Sequence, residues 1–263
     1  MARFAPVAPP EFIKAIRNAC GADFGVGRYH LLLAHDVVRR QRDYIRLFPT
    51  GSVIIMDNSM IELGEPVDGE IMEQACSIVG PQIVVLPDYA HDSERTVQVA
   101  REWAHDRESS VSPNSQQHYM AVPQGNTLEE YMECARRLAE IPRVLYWGIP
   151  RSATDKLGTR KDLVKRINLE VANHVKTIRS WTCIHLLGIS TDFYDDLVCA
   201  QQEGVMGIDS AAPLRLGQQG RLMTPKFCEP GPRGDWWDNP FIESNTINPA
   251  VLANLYLIRG WIG

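Results

Sequence analysis

A chain of 263 residues, 44% hydrophobic and 22% charged, has ordinary globular composition and lies near the roughly 250 residues of one α/β barrel, which favours one domain over two. Its formal net charge of -5 argues against a protein that holds nucleic acid by bulk positive charge, while leaving room for a local basic patch.

Residues 1–10, with Pro6, Pro9 and Pro10, read as an irregular lead-in, and Glu11 to Cys20 as a short helix stopped by Gly21. Tyr29 to His35 reads as a buried strand, Arg39 to Phe48 as a helix and Ser52 to Asp57 as a strand. Val67 to Val79 has Ile71, Ala75 and Ile78 on one side and is stopped by Gly80-Pro81. Gln82 to Pro87 is a strand. Ser93 to His105 carries Val97, Ala100, Trp103 and Ala104 at helical spacing, with Asp92 or Ser93 as its N-cap. Arg107 to Gln117 is a polar, serine-rich loop, and His118 to Val122 a strand. Thr127 to Ile141 is a helix opened by the capping box Thr127-Leu128-Glu129-Glu130. There follow a strand over Val144 to Ile149, a helix over Asp162 to Ser180 and a strand over Thr182 to Ile189. Asp192 to Glu203 is a helix capped by Thr191, and Val205 to Asp209 a strand. Residues 217–247 are rich in Gly, Pro and Asp and predict little regular structure; Asn248 to Trp261 closes the chain as a helix.

Apolar strands alternating with helices imply a parallel sheet covered on both faces. The expected fold is α/β, one (β/α)8 barrel over residues 1–263 with an irregular C-terminal loop region; a doubly wound open sheet is the alternative. No Gly-x-Gly-x-x-Gly follows the first strands, which speaks against a dinucleotide fold. Seven strands are evident, and the eighth is expected either in Ala2–Val7 or near Arg221–Thr224.

The six cysteines, Cys20, Cys76, Cys134, Cys183, Cys199 and Cys228, form no Cys-x-x-Cys pair and read as buried thiols of a reducing compartment, not as a disulfide framework or a zinc site. Met1 to Pro10 shows no signal-peptide pattern and no apolar run approaches membrane-spanning length, so a cytoplasmic protein without a membrane partner is expected. Arg39, Arg40, Arg42 and Arg46 form one basic cluster; Arg215, Arg221, Lys226 and Arg233 form a looser one, from which Arg215, Arg221 and Lys226 are the candidates for contacting nucleic acid. Such runs are more often a solvated face. Trp236-Trp237, on the long polar loop, offers rings on which bases stack, although packing the loop down is the commoner use of such a pair.

Six strand segments end in polar or turn residues: Asp57, Asp88, Gln124, Gly148 to Arg151, Ser190 and Asp209. A parallel barrel builds its active site at the carboxyl ends of its strands. A lone strand-end Asp often caps the next turn. Several at one level shift the reading to catalysis, because burial there tunes a carboxyl while leaving it open to substrate.

The same segments resemble the tRNA-guanine transglycosylase superfamily, and within it the smaller phage-type DNA 7-deazaguanine transglycosylases, from about Tyr29 to Thr224. Asp57-Asn58-Ser59-Met60-Ile61-Glu62 stands where the family has Asp-Ser-Gly-Gly-Phe-Gln, which implies a proton-handling role for Asp57. Val85-Leu86-Pro87-Asp88 stands where a family Asp binds the pyrimidine edge of the incoming base. Val122-Pro123-Gln124-Gly125 resembles Val-Gln-Gly-Gly, whose Gln also reads the base. Trp147-Gly148-Ile149-Pro150 resembles the glycine segment along the base edge, and His185-Leu186-Leu187-Gly188-Ile189 resembles Tyr-Leu-Met-Gly-Val, which packs on it. Gly207-Ile208-Asp209-Ser210 resembles the segment carrying the nucleophile. The resemblance thus implies Asp209 and Asp57 as the catalytic pair, and Asp88, Gln124, Gly148, Ile149, Leu187 and Ser59 as substrate-binding residues. The double glycine after the first Asp is absent, and so is the Cys-x-Cys-x-x-Cys…His zinc site of the tRNA enzymes; Cys228 stands alone where that module begins. The departures favour DNA over tRNA as the polymer.

The residue types suit the chemistry. Exchange of a nucleoside base breaks the C1′–N9 bond, which a carboxylate can trap covalently while a second acid or base handles the proton. A guanine-like base offers N1–H and N2–H to Asp88, and an O6 acceptor to Gln124 and main-chain N–H near Gly148. Expected partners are DNA (or tRNA) and a free 7-deazaguanine base, with no metal or other cofactor and an oligomeric state left open. The rivals are the same exchange on tRNA, a small-molecule hydrolase or aldolase using the same aspartates, and a barrel that only binds.

Overall fold

The computed structural model of the chain describes residues 2–20, 28–108, 117–175, 183–189, 193–225 and 247–262. Its strands are β1 (Arg3–Pro6), β2 (Tyr29–Leu33), β3 (Val53–Asp57), β4 (Ile83–Val85), β5 (His118–Ala121), β6 (Val144–Pro150), β7 (Cys183–Leu187) and β8 (Val205–Ser210). Between and after them run α1 (Pro10–Cys20), α2 (Ala34–Arg39), α3 (Gln41–Tyr44), α4 (Met60–Leu63), α5 (Gly69–Val79), α6 (Ser93–Glu108), α7 (Leu128–Leu138), α8 (Thr154–Leu157), α9 (Arg160–Val175), α10 (Phe193–Ala200), α11 (Ala212–Gln218) and α12 (Pro249–Ile262). The strands form one sheet in the order β1-β8-β7-β6-β5-β4-β3-β2, every ladder parallel, and β1 comes round to lie beside β2. This is a nearly closed (β/α)8 barrel.

Of the two candidates for the eighth strand, Arg3–Pro6 is the one used. It pairs with β8 and sets Ala5 opposite Asp209, while Arg221–Thr224 contributes an isolated bridge at Thr224. A four-residue strand ending in Pro6 resembles a lead-in because proline gives the ladder no N–H. Strand alternation then sorts the core. Tyr29, Leu31, Leu33, Ile55, Val85, Met120 and Val122 fill the barrel interior. Leu32, Ile54, Met56, Val84, Ile149, Ile184 and Ile208 face the helices.

Several helix ends follow from side-chain chemistry. Asp68 caps α5 by accepting from the Ile71 N–H at 2.8 Å, and Gly80 ends it at φ 61. Asp92, not Ser93, caps α6, its carboxylate accepting from the Arg95 N–H at 3.0 Å. The capping box of Thr127 and Glu130 is present. One region differs from expectation. β2 ends at Leu33, α2 starts at Ala34, and the helix expected over 39–48 is broken at Arg40. The cause is Asp36, which is fully buried and accepts from Arg39 at 2.8 Å and from the Tyr44 hydroxyl at 2.7 Å, a pairing that a continuous strand and helix do not allow. Arg40 turns to Glu11 and Asp43, so two of the four arginines of this basic cluster, Arg39 and Arg40, are engaged with neighbouring carboxylates.

The C-terminal helix is fitted closely. A Cβ at Gly217 would lie 2.4 Å from the Val251 Cα, so α11 and α12 cross backbone to backbone. Asn254 accepts from the Met223 N–H at 2.8 Å and donates to the carbonyls of Pro213 and Arg221 at 3.1 and 3.0 Å. Ser109 to Ser115, Ser190, Thr191, Lys226, Cys228, Arg233 and Trp236-Trp237 lie outside the described residues. No described helix is long and apolar enough to cross a membrane.

Candidate active site

Asp57 closes β3 and Asp209 stands next to last in β8, both at the carboxyl end of the barrel. Asp57 keeps some exposed area, and the Ser59 N–H donates to its Oδ1 at 2.7 Å. Burial, then the negative charge of Glu62, and more weakly those of Asp88 and Asp209, hold its carboxyl well above the usual range, against the lowering effect of the Ser59 N–H. Ser59 is buried, sits in the left-handed region at φ 63, and has a hydroxyl that meets no hydrogen-bond partner among the described residues. Strain of this kind tends to collect at functional sites.

Asp88 follows β4 and is buried. Asn58 Nδ2 donates to its Oδ1 at 2.6 Å and Gln124 Nε2 donates to its Oδ2 at 2.6 Å. Burial outweighs both amides and pushes the carboxyl up to about 6. Each amide is held in turn. Asn58 Nδ2 also donates to the Leu86 carbonyl at 2.8 Å, and its oxygen accepts from the Met60 N–H at 3.0 Å. Gln124 Oε1 accepts from the His91 N–H at 3.2 Å; a main-chain N–H only donates, so the amide nitrogen is the end turned to Asp88. Asn126 in turn donates to the His91 carbonyl at 2.8 Å, tying the loops after β4 and β5 together.

Asp209 Oδ1 accepts from the Gly188 N–H at 3.1 Å and lies 3.0 Å from His185 Nε2. His185 Nδ1 lies 2.6 Å from the Tyr29 hydroxyl. Gly148 shows why a glycine is needed below this level: a Cβ there would lie 2.7 Å from Leu187 Cδ1 and 2.8 Å from Val122 Cγ2. Leu187 packs on the interior cluster and remains partly exposed above it. Ile149, expected along the base edge, instead turns its side chain into the helix-side core, because it alternates with the inward Gly148. Its carbonyl is also taken, accepting from Arg160 at 2.8 Å.

Arg160 fixes the rim from behind. Buried on α9, it pairs with Asp196 of α10 at 2.8 Å and donates to the carbonyls of Gly188 at 2.7 Å, Ile149 and Leu187. Of the residues expected to contact nucleic acid, Arg215 is half-buried on α11 and Arg221 is exposed just beyond it. Among the described residues, no group of three or more His, Cys, Asp or Glu side chains is arranged to hold a metal ion.

Asp57, Asp88, Gln124, Asp209, Ser59 and Leu187 therefore gather at one mouth. Of the residues that orient them, Tyr29 and Arg160 escaped the reading of sequence alone, and Asn58 and His185 stood in the quoted motifs without a role of their own. A polar side chain at the inward position of an apolar strand was the signal for His185. No family model matches the chain, and no curated protein matches its sequence.

Proposed function

We propose that this protein exchanges guanine in nucleic acid, DNA in the first instance, for a 7-deazaguanine base. The observation that carries it is the division of labour between two carboxyls at one barrel mouth. Burial, and then Glu62, raise the Asp57 carboxyl well above the usual carboxylate range, while Asp209 has one oxygen tethered by its neighbours. Beside them an amide–carboxylate cluster of Asn58, Asp88 and Gln124 presents acceptors and a donor of the kind a guanine edge requires.

In the reaction, an Asp209 oxygen bonds to C1′ as the C1′–N9 bond breaks, and the leaving guanine takes the proton of Asp57. Guanine leaves and the deazapurine occupies its place, its edge against Asp88 and Gln124. Asp57 removes the proton from the attacking nitrogen, C1′ bonds to that nitrogen, and Asp209 is released as a carboxylate. On duplex DNA the target nucleotide must first leave the stack.

The test is incubation of the protein with DNA or with tRNA carrying labelled guanine, with a panel of 7-deazaguanines, followed by nucleoside mass spectrometry. Guanine release with a 7-deazaguanine nucleoside in the DNA is the expected result. Exchange in tRNA alone replaces the polymer but keeps the chemistry, and no exchange in either polymer overturns it.

A further inference from the structure

The groups beneath Asp209 form a directed chain. Tyr29 and His185 are 0% exposed, so neither touches substrate and both act through Asp209. They come from β2 and β7, which are separated around the barrel by β1 and β8, and they meet only across its interior. Gly207 makes that meeting possible: a Cβ there would lie 2.5 Å from the Tyr29 ring and 2.6 Å from its hydroxyl. Asp209 follows two residues later on the same strand and the same face, directly above the space that the glycine leaves.

The direction of the bonds follows from chemistry. Burial, and then the negative charge of Asp209, keep the Tyr29 hydroxyl protonated; Arg3 acts weakly the other way, and Tyr146 and Cys183 weakly with them. A carboxylate oxygen only accepts, so the His185 Nε2 that faces Asp209 Oδ1 carries a proton, and the Nδ1 of a neutral ring, 2.6 Å from the Tyr29 hydroxyl, accepts from it. A neutral ring accepting at Nδ1 carries its proton on Nε2, and Nε2 is the atom 3.0 Å from Asp209 Oδ1. With the Gly188 N–H at 3.1 Å, two donors meet on Oδ1, and among the described residues none reaches Oδ2.

We infer that Tyr29 and His185 are positioning residues that set the Nε2–H tautomer, hold Asp209 by Oδ1 and leave Oδ2 as the oxygen that attacks the sugar. Their part in catalysis rests on the base exchange proposed above. Their hydrogen-bond geometry does not. A buried polar chain of this kind costs more than an apolar filling unless its members are satisfied, and here the Tyr29 hydroxyl and both nitrogens of His185 are. The third group orients the second, and the second the nucleophile, by the same logic that governs hydrolytic triads.

Two measurements test the chain. The first needs no variant and no activity: nitrogen-15 NMR of histidine-labelled wild-type protein. The His185 resonances are expected to show a bare, accepting Nδ1 and a protonated Nε2. A charged imidazolium or the Nδ1–H tautomer overturns the inference, whether or not the protein exchanges bases.

The second is steady-state exchange on a DNA oligonucleotide. His185→Leu is expected to lower kcat by roughly 10- to 100-fold, as for loss of a hydrogen bond to a reacting charged group, while KM for the free base stays within about twofold. His185→Gln, which keeps an amide N–H able to reach Asp209, is expected to recover part of the loss. Tyr29→Phe keeps the ring over Gly207 and is expected to lose several-fold in kcat by freeing the tautomer. Wild-type kcat in both His185→Leu and Tyr29→Phe overturns the inference and leaves base exchange standing. An inactive wild type overturns base exchange, and the NMR spectrum then decides the chain by itself.

Discussion

The three aspartates at the barrel mouth owe their behaviour to different neighbours, and two of them, Asp209 and Asp88, predict different failures. Asp209→Ala removes the atom that bonds to C1′ in the proposed exchange; activity is expected to fall to background in a protein with unchanged circular dichroism and melting temperature, which nucleoside mass spectrometry checks. In the proposed recognition, Asp88 must be ionised for both its oxygens to accept from the N1–H and N2–H of a base, and its carboxyl stands at about 6 because of burial. Affinity for the free base is therefore expected to rise as pH rises through about 6 and then level off. Asp88→Asn should weaken binding by roughly 5- to 150-fold and flatten that pH dependence, as read by calorimetry at several pH values. Stability runs the other way. A carboxyl that holds its proton more tightly when folded stabilises the fold below the unfolded value near 4, and that contribution, on the order of 3 kcal/mol, is lost as pH rises through about 6. Ionised Asp88 thus weakens the fold under the conditions in which it recognises a base.

At the scale of elements, Arg160 joins α9 to α10 and to the ends of β6 and β7. Removing its only carboxylate partner in that set, by Asp196→Ala, leaves a buried charge with carbonyls alone. The expected cost is about 3–5 kcal/mol, measured as a shift of the chemical denaturation midpoint. Because Arg160 holds the Gly188 and Leu187 carbonyls, any folded fraction is also expected to lose exchange activity. Most strands and helices of the barrel were legible from apolar runs and punctuation, down to the capping box at Thr127 and the stop at Gly80. Less legible was the Ala34–Tyr44 region, where a buried Asp36 overrides local pattern, and the short α4 after Asp57. The strand-end aspartates could be found because the fold alone puts them at one level. The Tyr29–His185 pair could not, since it joins residues 156 apart through the interior, and no local period encodes a cross-barrel contact.

Across the whole molecule, closure depends on both ends of the chain. β1 pairs with β8, and α12 lies against α11 through Gly217. Gly217→Ala is expected to part these helices and cost about 1–3 kcal/mol, seen as a lowered melting temperature. The dispersed cysteines predict no stoichiometric zinc by elemental analysis, and chelator is expected to leave activity and melting temperature unchanged.

Gly148 has a last consequence. Leu187 and Val122 close over it beneath the aspartates, so the base site of the proposed exchange rests on a packed interior. In the proposed exchange, departing guanine and incoming deazapurine compete for one berth, and the first must clear it before the second can land. Initial rates measured against both substrates are then expected to give parallel double-reciprocal lines, with guanine inhibiting competitively against the incoming base. Intersecting lines would mean that both bases are held at once and would overturn this order.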